Sequence, residues 1–206
     1  PEIDLKVEEL LSQMTVEEKL GYIGGIDWMY TKSIDRLGIH RMRMSDGPQG
    51  IGTKGKSTAY PATVTLAATW NENLAYQYGK ALGRDCRARN INVILGPAVN
   101  IYRAPMCGRN FEYMGEDPYL TSRICVGYIK GVQDQGVMAT VKHFVANNSD
   151  YDRNNISNDI DERTLNEIYF PAYKAAIQEA EVGAIMTSYN LSLIHISEPT
   201  RQEAIS

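Results

Sequence analysis

The chain has 206 residues, 21 Lys and Arg against 25 Asp and Glu, and a formal net charge of −4. That length supports one sizeable core, and the acidic balance argues against a nucleic-acid binder, which carries a basic face. No apolar run approaches the roughly 20 residues that span a bilayer, so no membrane partner is expected. The three cysteines, Cys86, Cys107 and Cys125, sit at no metal-binding spacing and read as free thiols. No signal peptide is visible, but the chain begins at Pro1, so the compartment stays open.

Residues 3–14 place Ile3, Val7, Leu10, Leu11 and Met14 at helical spacing, and Thr15-Val16-Glu17-Glu18 is a capping box that starts a second short helix. Residues 1–35 therefore form a helical lead-in. Residues 39–46 predict a strand ending at Asp46, followed by the turn Gly47-Pro48-Gln49-Gly50. Asp46 is either a turn residue bonding its own backbone or a ligand at a strand end. Lys54 to Lys56 is a polar loop. Pro61 to Thr69 alternates threonine with small apolar residues and predicts a second strand, with Trp70 at its end.

Asn71 caps a helix that carries Leu74, Ala75, Tyr78, Ala81 and Leu82 on one face. Ile91 to Pro97 predicts a third strand. The loop from Asn100 to Asp117 is too long for a bare connection, which marks it as functional. Asp117 before Pro118 starts the next helix, and Gly136 stops it. Val137-Met138-Ala139-Thr140-Val141 reads as a strand buried on both faces, and it ends in Lys142-His143-Phe144-Val145-Ala146-Asn147-Asn148. A polar loop with Asp150, Asp152 and Arg153 follows. Asp161-Glu162-Arg163 opens a helix that Pro171 should bend, and Val182 to Tyr189 is the last strand.

Alternating strands and helices mean a parallel sheet, either doubly wound or a TIM barrel. Gly47 to Gly52 is not G-x-G-x-x-G, so the barrel is the better reading. The fold class is α/β, a partial (β/α)8 barrel of about five βα units that does not close. Strand ends supply Asp46, Trp70, Asn100, Lys142, His143 and Tyr189, and in a barrel those ends share the ligand-binding face. Cations beside carboxylates and amides suit either a polyhydroxylated ring or a phosphate. Sugar hydrolysis needs two carboxyl groups, for which the residues alone nominate Asp46 with Glu112 or Glu116. Either glutamate could equally serve a loop hydrogen bond or a solvated surface. No second metal ligand lies at ligand spacing from His143, and no cofactor is implied.

Six stretches, in order, resemble glycoside hydrolase family 3 on its β-glucosidase side. They are Leu11 to Lys19, Ser45-Asp46-Gly47-Pro48-Gln49-Gly50, Gly108 to Pro118, Lys142 to Asn148, Asp161-Glu162-Arg163 and Met186-Thr187-Ser188-Tyr189-Asn190. The resemblance implies that residues 36–191 are part of an N-terminal barrel domain holding the −1 sugar subsite. It implies that Asp46 grips sugar hydroxyls rather than acting as nucleophile. Arg109, Lys142, His143 and Arg153 would be further hydroxyl ligands, and Met186 and Tyr189 would line the subsite. It also implies cis peptide bonds in the Lys-His-Phe run. Val145-Ala146-Asn147-Asn148 stands where the N-acetylglucosaminidase branch has a Gly-His-Gly type loop, so that branch is not expected.

The family nucleophile, an aspartate in a Ser-Asp-Trp-like motif on a later strand, has no counterpart among the 206 residues. The acid/base glutamate of a following domain has none either. Residues 192–206 resemble translated adapter or vector sequence and are expected to be a non-native tail. The expectation is a fragment of a retaining exo-acting β-glycosidase, a β-glucosidase first and a β-xylosidase second. The fragment itself is expected to be inactive, with both catalytic carboxylates outside it. The alternatives are a non-catalytic sugar-binding remnant and a phosphate-handling barrel. Its expected partners are a β-glucoside or oligosaccharide, the missing C-terminal domains, and a second copy meeting the open barrel edge.

Overall fold

The computed structural model describes residues 2–52 and 55–190. The segment 192–206, expected to be a non-native tail, lies outside the described residues, as does part of the polar loop at Lys54. Helices α1 (Glu2–Gln13) and α2 (Val16–Gly24) form the expected lead-in. The capping box at α2 is complete: the Thr15 hydroxyl accepts from the Glu18 amide, and the Glu18 carboxylate accepts from the Thr15 amide.

The sheet has four parallel strands in the order β1 (Met44–Asp46), β2 (Val93–Leu95), β3 (Met138–Phe144) and β4 (Ala184–Thr187). Consecutive strands are neighbours, as in a barrel, and the sheet is open. The five expected βα units are thus four strands among the described residues. The difference is the Pro61–Thr69 stretch, which forms helix α3 (Thr63–Ala67) rather than a strand. Its buried residues Thr63, Leu66 and Ala67 fall at i, i+3 and i+4, a helical stripe that outweighs the alternation of threonines. Trp70 therefore ends no strand; it is exposed and outside the site described below.

Helices α4 (Glu72–Ala88) and α5 (Pro118–Gln133) begin where the sequence places them, with Asn71 accepting from the Leu74 amide and Asp117 from the Leu120 amide. The two helices pack closely because Gly131 brings backbones together: a Cβ there would lie 2.1 Å from the Tyr76 carbonyl oxygen. Asp161 caps the start of α6 (Glu162–Thr164). A π-helical turn, Leu165–Tyr169, then leads into α7 (Phe170–Gln178), so the irregularity expected from Pro171 falls just before it. Leu82, Ile94, Ile124, Ile129, Val132 and Val141 are fully buried and join sheet and helices into one core. β3 is buried along nearly its whole length, as its continuous apolar run requires. Its end carries cis peptide bonds at Lys142–His143 and Phe144–Val145.

Candidate functional site

The carboxyl ends of the strands open into a cleft of about 720 Å³. Asp46 comes from the end of β1, Lys142 from β3, and Tyr189 from just after β4. Arg109 and Glu112 come from the long loop after β2, and Arg153 from the loop after β3. Of the residues expected at strand ends, Asp46, Lys142 and Tyr189 line this cavity, and Arg109 and Arg153 join them from loops. The turn after Asp46 depends on glycine. Gly47 has φ 131°, and a Cβ there would sit 1.5 Å from the Gly50 carbonyl oxygen.

Glu112 organises the charges. It is buried, with one carboxylate oxygen bonded to the Arg109 guanidinium and the other 3.6 Å from Lys142 Nζ. Asp150 holds the opposite side, 3.9 Å from Arg109 and 3.6 Å from Arg153. The Arg153 guanidinium lies 4.1 Å from the centre of the Tyr189 ring, which gives it an aromatic seat beside the cleft. Burial pushes the Lys142 pKa down; the neighbouring Glu112 and Asp46 carboxylates oppose that, and Arg109 adds to it.

His143 and Met186 are placed differently from the others. His143 is 1 % exposed and is not on the cleft wall. Its amide donates to the Asn100 side chain at 3.0 Å, and its carbonyl accepts from the Tyr173 hydroxyl at 2.7 Å. Its ring packs against Tyr113 and Tyr189, with centroids 6.4 and 6.3 Å away. Its Nδ1 is buried without a hydrogen-bond partner. Burial first, then Arg109, Lys142 and Arg153, push its pKa down to about 2, so the ring is neutral. Met186 is half-buried on β4, in register with Lys142, and also lies off the cleft wall.

Of the two nominated glutamates, Glu112 is the buried counter-ion and Glu116 is exposed away from the cleft. Trp28, Phe111 and Gln49 also line the cleft, and sequence reasoning passed over them. Trp28 is 91 % exposed, which a turn rich in glycine could have flagged. Gln49 ties the turn after β1 to the long loop by donating to the Phe111 carbonyl at 2.5 Å.

An open parallel sheet with a charged, polar cleft at its carboxyl ends defines a barrel-type α/β protein with a ligand-binding cleft on that face. Residues 15–198 match the sequence profile of the glycosyl hydrolase family 3 N terminal domain, and the chain belongs to that family. It is 47% identical over 203 residues to a β-glucosidase of Bacteroides ovatus, covering 91% of this chain and 27% of that protein. It is 43% identical over 196 residues to the thermostable β-glucosidase B of Acetivibrio thermocellus, covering 89% of this chain and 26% of that protein. The structure of β-glucosidase 3B from Thermotoga neapolitana, in complex with α-D-glucose, superposes with a TM-score of 0.85 at 37% identity, covering 90% of this chain and 29% of that one. The chain thus spans about a quarter of the length of the curated relatives it matches. Among the described residues no helix is long and apolar enough to cross a membrane.

Proposed function

We propose that the cleft is the glycone pocket, the −1 subsite, of a retaining exo-acting β-glycosidase, and that the sugar is β-glucosyl. The observation that carries this reading is the convergence of Asp46, Arg109, Lys142, Arg153 and Tyr189 on one cleft at the strand ends. A pyranose ring presents a row of hydroxyls that both donate and accept. Lysine and arginine supply donors to their oxygens, and a carboxylate such as Asp46 accepts from two neighbouring hydroxyls at once. Glu112 and Asp150 hold the cations in place through ion pairs. His143 and Asn100 act beneath the wall, fixing the backbone that carries Lys142.

A retaining mechanism needs two carboxyl groups about 5–5.5 Å apart, one as nucleophile and one as acid/base. Among the described residues the cleft offers Asp46, while Glu112 is committed to Arg109 and Lys142. The family resemblance assigns Asp46 to recognition, and on that reading the reacting pair comes from parts of the longer protein outside residues 36–191. On this reading the 206-residue chain binds the sugar and does not cut it. Among the described residues β4 forms the sheet edge with Ile185 exposed, which supports association of two copies through that edge.

The test is a glucose titration of the folded chain by calorimetry, alongside an aryl β-glucoside assay. Saturable binding that Asp46→Ala abolishes, without turnover, is the expected result. A folded chain that binds no glucose refutes the pocket, and turnover above a buffer blank refutes the assignment of the reacting pair.

A further inference from the structure

At the opposite end of the sheet, where the strands begin, lies a second cavity of about 430 Å³ lined by Tyr30, Arg41, Arg43, Arg87, Asn90 and Asn92. Arg43 immediately precedes β1 and Asn92 immediately precedes β2, whereas Asp46 and the sugar cleft stand at the far end. Strands of three residues separate the two sites by about 10 Å at ~3.3 Å per residue.

The three arginines arrive from two directions. Arg41 and Arg43 are two apart on an extended segment, so they lean to one side, and the isolated antiparallel bridge Tyr30 to Arg43 places the Tyr30 ring beneath them. The guanidinium of Arg41 lies 4.4 Å and that of Arg43 5.9 Å from the ring centre. Arg87 comes from the last turn of α4. Complementing the helix dipole accounts for Arg87 alone, but not for two further guanidiniums converging on the same cavity. Arg43 is fixed by donating to the Arg89 carbonyl at 3.1 Å, and the Asn92 side-chain oxygen accepts from the Arg43 amide at 2.9 Å. No carboxylate lines the cavity, and among the described residues neither Arg41 nor Arg87 forms an ion pair with an acid. Three guanidiniums around one concave site with no carboxylate on its wall make that site attractive to an anion.

We propose that this cavity binds a small molecule bearing a phosphate group. Planar guanidinium forks match phosphate oxygens two at a time, and side-chain amides add neutral donors at the rim. A concave site of this volume suits a small ligand rather than a polymer, and the overall acidity disfavours a nucleic acid. The site is independent of the sugar cleft and does not rest on the reading of that cleft.

The test is calorimetry of the 206-residue chain with inorganic phosphate at constant ionic strength, with glucose 6-phosphate and glucose in separate arms. Saturable phosphate binding is expected, weakened at least tenfold by Arg41→Ala and by Arg87→Ala, each of which removes charged donors. Both residues are exposed, so both variants should fold, as circular dichroism will verify. Tighter binding of glucose 6-phosphate than of inorganic phosphate identifies an ester ligand; the reverse identifies the free ion. Glucose alone should not compete with inorganic phosphate, and the glucose 6-phosphate arm is run with saturating glucose filling the strand-end cleft. No saturable phosphate binding, or binding that survives both substitutions unchanged, overturns the proposal.

Discussion

Glu112→Gln is the most informative single change because it keeps the shape of the cleft floor and removes its central charge. Glu112 is 4 % exposed and Lys142 is 2 % exposed. At the observed 3.6 Å and an effective dielectric constant near 20, the pair attracts by about 4–5 kcal/mol. Breaking a buried pair on one side leaves the other charge uncompensated, so a loss of about 3–5 kcal/mol in stability is expected at neutral pH. The sign of the pH dependence follows from Lys142. Its folded pKa already lies below its ordinary value, and Glu112 is the largest influence raising it. Without Glu112 that pKa falls further below the unfolded value of about 10.4, so the deficit is greatest when lysine must be charged. It then narrows as pH rises through the folded pKa and Lys142 folds neutral. Urea denaturation of both proteins at pH 7 and pH 9.5 measures this. A deficit under about 1 kcal/mol, or one that widens with pH, refutes the assignment of Glu112 as the buried counter-ion.

Much of the architecture was legible because backbone constraints leave local marks. The capping box at Thr15, the Asn71 and Asp117 caps, and the unbroken apolar run of β3 each act within one turn or one strand, and each formed as expected. The Pro61–Thr69 stretch misled because over five residues Thr-Val-Thr-Leu-Ala fits both periods; burial of Thr63 against the long loop, where its hydroxyl donates to the Glu112 carbonyl at 2.6 Å, favours the helix. Asp46 and Lys142 were legible as strand-end charges, whereas Arg109, Glu112 and Arg153 reach the cleft from loops. Their division of labour was not. Whether Glu112 faces solvent or two cations depends on how the loop after β2 folds back over β3, a long-range arrangement with no local signature. The same holds for His143, which sits next to Lys142 in sequence yet lies beneath the wall that Lys142 lines.

Gly131→Ala should destabilise the protein by about 1–3 kcal/mol in urea denaturation, because its Cβ would stand 2.1 Å from the Tyr76 carbonyl oxygen and 2.7 Å from the Lys80 nitrogen, both backbone atoms that cannot turn aside. His143 has a folded pKa near 2 against about 6.5 when unfolded, so the unfolded state binds the extra proton and acid weakens the fold. Between pH 7.5 and 5.5 the wild type should therefore lose about 1.4 kcal/mol relative to His143→Gln; equal losses in the two proteins would contradict a buried neutral ring. The walls of the cleft are also unequally supported. The outer edge of β1 is bridged by the Met29–Tyr30 segment, whose Met29 carbonyl accepts from the Met44 amide at 2.8 Å, whereas among the described residues β4 is the last strand of the sheet, with Ile185 exposed. Local opening follows the strand with fewest partners, so amides of β4 should exchange with deuterium faster than those of β2 and β3. Tyr189, directly after β4, lines the cleft, so a glucose that contacts it must hold β4 in place. Saturating glucose should then slow exchange at β4 more than at β2; slowing spread evenly over the sheet, or absent from β4, would remove Tyr189 from the sugar site.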